Sequence, residues 1–256
     1  MVDWKPDHYA RFRDLRLRPA LDLLAQVPDL PDGPLIDLGC GDGAAAGALR
    51  HRFPGRSLMG VDNSAAMLGR ARDRGLYDRL DDADIATWLP DQPPALIFSN
   101  AALQWLPDHG SLLPRLAGAL GAGGTLAVQM PRQYGAPSHR FLRDFAADMF
   151  PDRFAAAGWV PPVATASDYY RMLAPFGTVT AWQTDYVQHL SATSDAHPVR
   201  LFTEATAMRP FLDRLSPAEA DAFVARYEAA LSAAYPAEPD GSVLFPFRRV
   251  FLILTR

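Results

Sequence analysis

Pro34-Leu35-Ile36-Asp37-Leu38-Gly39-Cys40-Gly41-Asp42-Gly43 is the stretch whose reading decides the fold. Its first half is short and apolar, as a buried strand is, and its second half is a glycine-rich turn. A helical pattern follows over residues 44–53. Strand, glycine turn and helix in that order make a nucleotide-type binding site. Glycine lets the backbone turn sharply and approach a ligand closely, because no Cβ intervenes. The N–H groups at a helix start then face that ligand.

Two ligand chemistries fit the turn. Gly39-x-Gly41-x-x-Ala44 matches the dinucleotide fingerprint, with Asp62 about twenty residues on as a ribose ligand. The same letters match the D-x-G-x-G-x-G turn that holds S-adenosylmethionine. Asp37 tilts the balance toward the second. A carboxylate at the strand end repels a pyrophosphate and attracts the cationic amino-acid end of S-adenosylmethionine.

On the C-terminal side, residues 57–62 read as a second strand ending in Asp62, and Ser64 as the N-cap of a helix over 65–74. Asp62 stands where open α/β sheets bind ligands, and its carboxylate can accept both hydroxyls of a ribose. Residues 77–83 make a weak third strand. Asp84 beyond it can accept an adenine amino group and Ile85 can cover the ring; helix capping is the rival role for Asp84. Residues 95–100 form a near-continuous apolar strand, as a central parallel strand does. A loop over 100–109, a helix over 112–120 and a fifth strand over 125–130 complete the alternation. On the N-terminal side, Arg18-Pro19 reads as the start of a helix over 20–26. The aromatic and arginine-rich residues 3–18 before it could pack on the sheet or close over the glycine turn.

From Pro131 the pattern changes. Residues 137–164 read as helix and loop, 167–173 as a helix and 178–190 as an alternating strand. Residues 195–235 are helical, broken at Pro210 and restarted at Ser216-Pro217. A last strand runs over 247–255. The expected fold is α/β: one doubly wound domain over 1–256, with a mostly parallel sheet. The stretches 137–164 and 195–235 are expected to be helical cap insertions over the acceptor site.

The chain of 256 residues carries a net charge of −4, which argues against a nucleic-acid partner held by a broad positive field. Lys5 is its only lysine, so its cations are arginines, whose forks suit carboxylates. Cys40 is the only cysteine, which leaves no disulfide framework or cysteine-based metal site, and no metal is expected. Within the tight turn it reads as a small residue rather than a nucleophile. The first residues do not read as a signal peptide, and no apolar run approaches ~18–20 residues, so a cytoplasmic protein off the membrane is expected.

Asp37 to Gly43, Asp62, Asp84 and the loop from Asn100 together resemble the class I S-adenosylmethionine-dependent methyltransferases over residues 34–130. The similarity extends to Asn100-Ala101-Ala102-Leu103-Gln104-Trp105-Leu106-Pro107-Asp108-His109, Leu126-Ala127-Val128-Gln129-Met130-Pro131, Arg209-Pro210 and Arg249-Val250-Phe251-Leu252, which are similar to members acting on small polycarboxylates. The resemblance implies a seven-stranded sheet whose last strand is antiparallel. It implies S-adenosyl-L-methionine as cofactor, held by Asp37, Gly39, Gly41, Asp62, Asn63, Met67, Asp84, Ile85, Asn100, Ala101 and Trp105. It implies methyl transfer to one carboxylate of trans-aconitate or a similar small polycarboxylate. This sequence has Asp42 where many relatives carry another residue.

A carboxylate acceptor is already ionised at neutral pH, since it titrates near ~4. No general base or covalent nucleophile is then needed, and no side chain is singled out as catalytic. A polyanion in a low-dielectric pocket does need cationic partners. Arg209, Arg249 and Arg248 are the candidates, with Tyr186, Tyr170, Gln104, Trp105 and His109 beside them. Three other readings compete: a methyltransferase for an acyl-carrier thioester or secondary metabolite, a nicotinamide-dependent oxidoreductase, and a module that senses S-adenosylmethionine. A monomer or weak homodimer is expected.

Overall fold

The computed structural model describes residues 13–154, 160–204 and 206–256. The expected N-terminal lid falls mostly on residues 1–12 and lies outside them. The described residues form two compact units, one of 13–131, 162–184 and 249–256, the other of 132–154, 160–161, 185–204 and 206–248.

The first unit begins with helix α1, Arg13–Ala25. The expected start at Pro19 is corrected: the helix runs through that proline. Proline bars only its own N–H and the carbonyl one turn back, and helical residues precede it here. The alternation then proceeds through β1 (Leu35–Leu38), α2 (Ala46–Arg52), β2 (Leu58–Asp62), α3 (Ala65–Asp73), β3 (Arg79–Asp82), β4 (Leu96–Asn100), α4 (His109–Ala119) and β5 (Thr125–Pro131). After α5 (Pro137–Met149) come α6 (Ala166–Leu173) and β6 (Thr178–Leu190). Helices α7 (Pro198–Glu204), α8 (Arg209–Leu212) and α9 (Pro217–Ala234) lead to β7 (Val243–Thr255).

The seven strands lie in the order β3-β2-β1-β4-β5-β7-β6. β1 pairs in parallel with β2 and β4, β2 with β3, and β4 with β5, while β7 runs antiparallel to β5. The expected sheet is present, with its chain reversal between β1 and β4. Strands buried on both faces need continuous apolar runs, and β4 has one: Leu96, Ile97 and Phe98 are fully enclosed. Each such side chain contributes about 1.5–3 kcal/mol relative to exposure. Ile36, Leu38, Val61, Leu126, Val128, Val250 and Leu252 continue this core, and Leu112 and Leu116 of α4 pack into it.

In the second unit Phe202, Tyr235, Phe245 and Phe247 form an edge-to-face aromatic cluster. The Tyr227 hydroxyl of α9 donates to the Ser138 carbonyl of α5 at 2.7 Å. Strand β7 starts four residues earlier than the sequence suggests. Val243, Phe245 and Phe247 are buried and alternate with exposed Leu244, Pro246 and Arg248, so Pro246 occupies an outward position.

Candidate active site

The C-terminal ends of β1, β2, β4 and β5 carry the site residues of the first unit. The chain reversal between β1 and β4 is where open α/β sheets leave a ligand crevice. Gly39 shows how close the two loops come there. Its φ is +78°, and a Cβ on it would lie 2.2 Å from the Cβ of Ala102. Gly41, at φ +55°, has nothing within 4 Å of where its Cβ would be, so the turn is open on that side. Helix α2 starts at Ala46, two residues later than expected, and turn bonds such as Gly43 N–H to the Cys40 carbonyl (2.9 Å) fill the interval.

Asp62 holds the turn in shape. One carboxylate oxygen accepts from Gly41 N–H and the other from Ser64 N–H, both at 2.9 Å. Each oxygen keeps a second lone pair, so the carboxylate can still receive a pair of hydroxyls. Ser64 caps α3 as expected by accepting from Met67 N–H. Asn63 is exposed beside it, and Met67 is buried in the first turn of α3. Asp42 is paired with Arg74 (2.9 Å), so the residue that departs from the family pattern has its charge countered.

Asp37 is buried in β1 and accepts from the Tyr77 hydroxyl at 2.7 Å. Burial pushes its carboxyl up to about 7; the Tyr77 hydrogen bond opposes this and the nearby Asp62 charge adds to it. Burial first, then Asp37 and Asp62, push the Cys40 thiol up as well, so it stays protonated and is no nucleophile. Tyr77 is a site residue that the sequence did not disclose: it lies forty positions from Asp37, and no local pattern joins them.

Asp84 is exposed, and its side chain accepts from Ala86 N–H at 2.9 Å, which caps a turn rather than a helix. Ile85 packs against the core. After β4, Ala101 has φ +54°, a left-handed conformation costly for a residue with a Cβ. The Asn100 Oδ1 before it is buried with no hydrogen-bond partner among the described residues. Gln104 donates to the Ala101 carbonyl at 2.8 Å, and its Oε1 is likewise buried and unpartnered. Trp105 is about half exposed, at 53%. Strain and unpartnered acceptors in one loop are features that cluster where a ligand completes a site.

His109, which in sequence also reads as a surface loop histidine, is not at the surface. It is buried, its Nε2 faces the Leu103 carbonyl at 2.8 Å and its Nδ1 faces the Tyr169 hydroxyl at 2.6 Å. Both ring nitrogens are engaged by these contacts, so the histidine braces the loop. Tyr170, on α6, is half exposed.

Arg249 is 3% exposed near the end of β5, paired in register with Pro131, and its Nη1 donates to the Gln129 Oε1 at 3.2 Å. Gln129 itself is fully buried. Its signal in the sequence was a polar residue inside an apolar strand. In the second unit, Arg248 makes a two-pronged pair with Asp185, both bonds 2.7 Å, at the surface. There Tyr186 is buried in β6 and Arg209 opens the short helix α8.

Asp37 and Asp62 make the turn acidic, which suits a cationic nucleoside and not a pyrophosphate. The acceptor set of Asp62, Asp37 and the unpartnered Asn100 oxygen fits S-adenosylmethionine, with its ribose hydroxyls and ammonium. The fold and this site define a class I methyltransferase. Residues 9–182 match the family described as a methyltransferase domain. A phosphoethanolamine N-methyltransferase from Haemonchus contortus, solved with phosphomonomethylethanolamine and S-adenosylhomocysteine, shares the fold with a TM-score of 0.53 at 18% identity, covering 93% of this chain and 52% of that one. Sequence similarity is finer. Trans-aconitate 2-methyltransferase of Methylobacterium nodulans is 46% identical, covering 100% of this chain and 99% of that protein. The enzyme of that name from Variovorax paradoxus is 44% identical, covering 99% and 98%. The chain belongs to the trans-aconitate 2-methyltransferase family.

Proposed function

We propose that the protein transfers a methyl group from S-adenosylmethionine to one carboxylate of trans-aconitate, giving the monomethyl ester. The observation that carries this reading is the division of charge in the sheet-bearing unit. Carboxylates stand at the tips of β1 and β2, and a buried guanidinium stands at β7 beside the end of β5. Relatives of that name, 46% and 44% identical along essentially the full length, support the choice of acceptor.

When bound, the cofactor supplies an electrophilic methyl group on a sulfonium. Asp62 would receive the ribose hydroxyls, Asp37 the ammonium end, and Asn100 Oδ1 a donor from the same ligand. Gly39, Gly41 and Ala101 would let backbone approach it, Met67 and Ile85 would flank the base, with Asn63 and Asp84 at its polar edge. Trp105 and Gln104 would lie toward the acceptor. Arg249 would grip an acceptor carboxylate; Arg209, Arg248 and Tyr186 are the second unit's candidates, of which Arg248 is already held by Asp185. The acceptor arrives ionised, so no side chain has to remove a proton. What remains for the protein is alignment and exclusion of water, worth up to ~7–11 kcal/mol. Among the described residues no helix is long and apolar enough to cross a membrane. That fits a cytoplasmic enzyme acting on a small metabolite.

The test is radiolabelled methyl transfer to a panel of di- and tricarboxylic acids. Trans-aconitate should be among the best acceptors, and Arg249→Ala should raise its KM at least tenfold with donor affinity within about threefold. Labelling of none of the acids, or an unchanged KM in the variant, would refute the reading.

A further inference from the structure

Gln129 poses a problem of hydrogen-bond accounting. It is fully buried, and its Oε1 receives Arg249 Nη1 at 3.2 Å. The arginine has only donors, so the amide oxygen must face it and the NH2 must face away. That NH2 has no hydrogen-bond partner among the described residues. A buried donor without a partner costs about 1–3 kcal/mol. Asn100, directly beside Gln129 in the β4–β5 register, has a buried acceptor in the same state. The Gln129 carbonyl accepts from the N–H of strained Ala101 at 2.9 Å. Phe251 opposes Gln129 across β5 and β7, and Arg249 stands two residues from Phe251 on the same face. Gln129 thus joins the strained loop to the buried guanidinium.

We propose that Gln129 is an acceptor-binding residue, its amide NH2 and Arg249 together holding a carboxylate of the acceptor other than the one that is methylated. This rests on the polycarboxylate reading above. The choice of the non-reacting carboxylate follows from nucleophilicity. An amide or guanidinium hydrogen bond on the attacking oxygen would occupy its lone pair and weaken attack, whereas on a remote carboxylate it only orients and neutralises. Since Gln129 is enclosed, the acceptor reaches it as the residues around it part.

The test crosses variants with acceptors. Wild type, Gln129→Met and Gln129→Glu are compared on trans-aconitate and on the dicarboxylates that each lack one of its carboxylates. Methionine keeps the volume but removes both the NH2 donors and the Oε1 that accepts from Arg249; glutamate keeps the shape and an acceptor for Arg249 while removing the donors and adding a negative charge. Each should lower kcat/KM for trans-aconitate about ten- to a hundredfold through KM, with donor affinity unchanged. On one dicarboxylate, the one missing the partner of Gln129, the substitutions should cost less than about threefold. A structural lesion would lower activity on all acceptors alike, and that result, or an unchanged KM on trans-aconitate, overturns the inference while wild-type activity upholds the functional reading. A wild type inactive on every polycarboxylate overturns both.

Discussion

Donor binding should depend steeply on pH, through Asp37. Its carboxyl is pushed from 3.8 to about 7, so ionising it in the donor-free fold costs on the order of 4 kcal/mol. One unit charge about 4 Å away contributes about the same at an effective dielectric of 20, so a single donor cation offsets that cost. The sign follows. The raised pKa means donor-free stability is fullest below 3.8 and declines as pH rises toward 7, because the buried group must then ionise. Donor affinity moves the other way: below about 7 each binding event must expel a proton. Affinity should rise nearly tenfold per pH unit between about 5 and 6.5, level off near 7, and fall above about 8 as the donor's own α-amino group deprotonates. Titration calorimetry at pH 6 in buffers of differing ionisation enthalpy should count about 0.9 proton released. Asp37→Asn should abolish the acid limb, and Tyr77→Phe, which removes the hydrogen bond that favours the ionised form, should move it to higher pH. S-adenosylhomocysteine lacks the sulfonium charge but keeps the ammonium, so an equal slope with it assigns the effect to the ammonium. A pH-independent affinity in the wild type, or an acid limb that survives in Asp37→Asn, would refute the reasoning.

Other perturbations separate the roles of neighbouring residues. Asp62→Ala removes the proposed ribose acceptor and orphans the Gly41 and Ser64 N–H groups, so donor affinity should fall at least about a hundredfold; calorimetry showing a change under threefold would count against it. Gly39→Ala should lower the melting temperature more than Gly41→Ala, because the first adds a clash with Ala102 to the shared backbone strain, and the second adds strain alone. Arg248→Ala removes an exposed ion pair with Asp185, of the sort that contributes at most about 1 kcal/mol, so acceptor KM should change less than twofold. A tenfold rise would assign Arg248 to the acceptor.

What the sequence disclosed was what depends on near neighbours. Asp37, Gly39 and Gly41 are spaced by the turn itself, and Ser64 caps α3 three residues ahead of the N–H it accepts. The β4 apolar run needs no tertiary information to be read as central. The misreadings each have a physical source. Pro19 reads as a helix start, although helical turns can precede a proline and here do. Pro246 hid the first third of β7 because its outward position depends on the sheet. His109 reads as a surface loop histidine in the sequence, and its burial is not legible there because its partners, Leu103 and Tyr169, are set by packing of α6 near α4. Tyr77 and Gln129 had no reading of their own, since one acts across forty residues and the other through an arginine 120 positions away.

The charges on the two sides of the site differ in what the reaction does to them. A sulfonium and a carboxylate enter, and a thioether and an ester leave, so the reacting centre loses its charges on the way to the transition state. A dry environment therefore favours the transition state over the ground state, and strong donors aimed at the attacking oxygen would do the reverse. The protein must still hold the remaining charges, which do not change. On that logic Asp37 and Arg249 belong at the periphery of the reacting atoms, one on the donor's ammonium and the other on a spectator carboxylate. Their burial, at 2% and 3% exposure, is then what makes each able to discriminate. For Asp37, a ligand without the matching cation leaves the cost of ionising the buried carboxyl, on the order of 4 kcal/mol, without compensation.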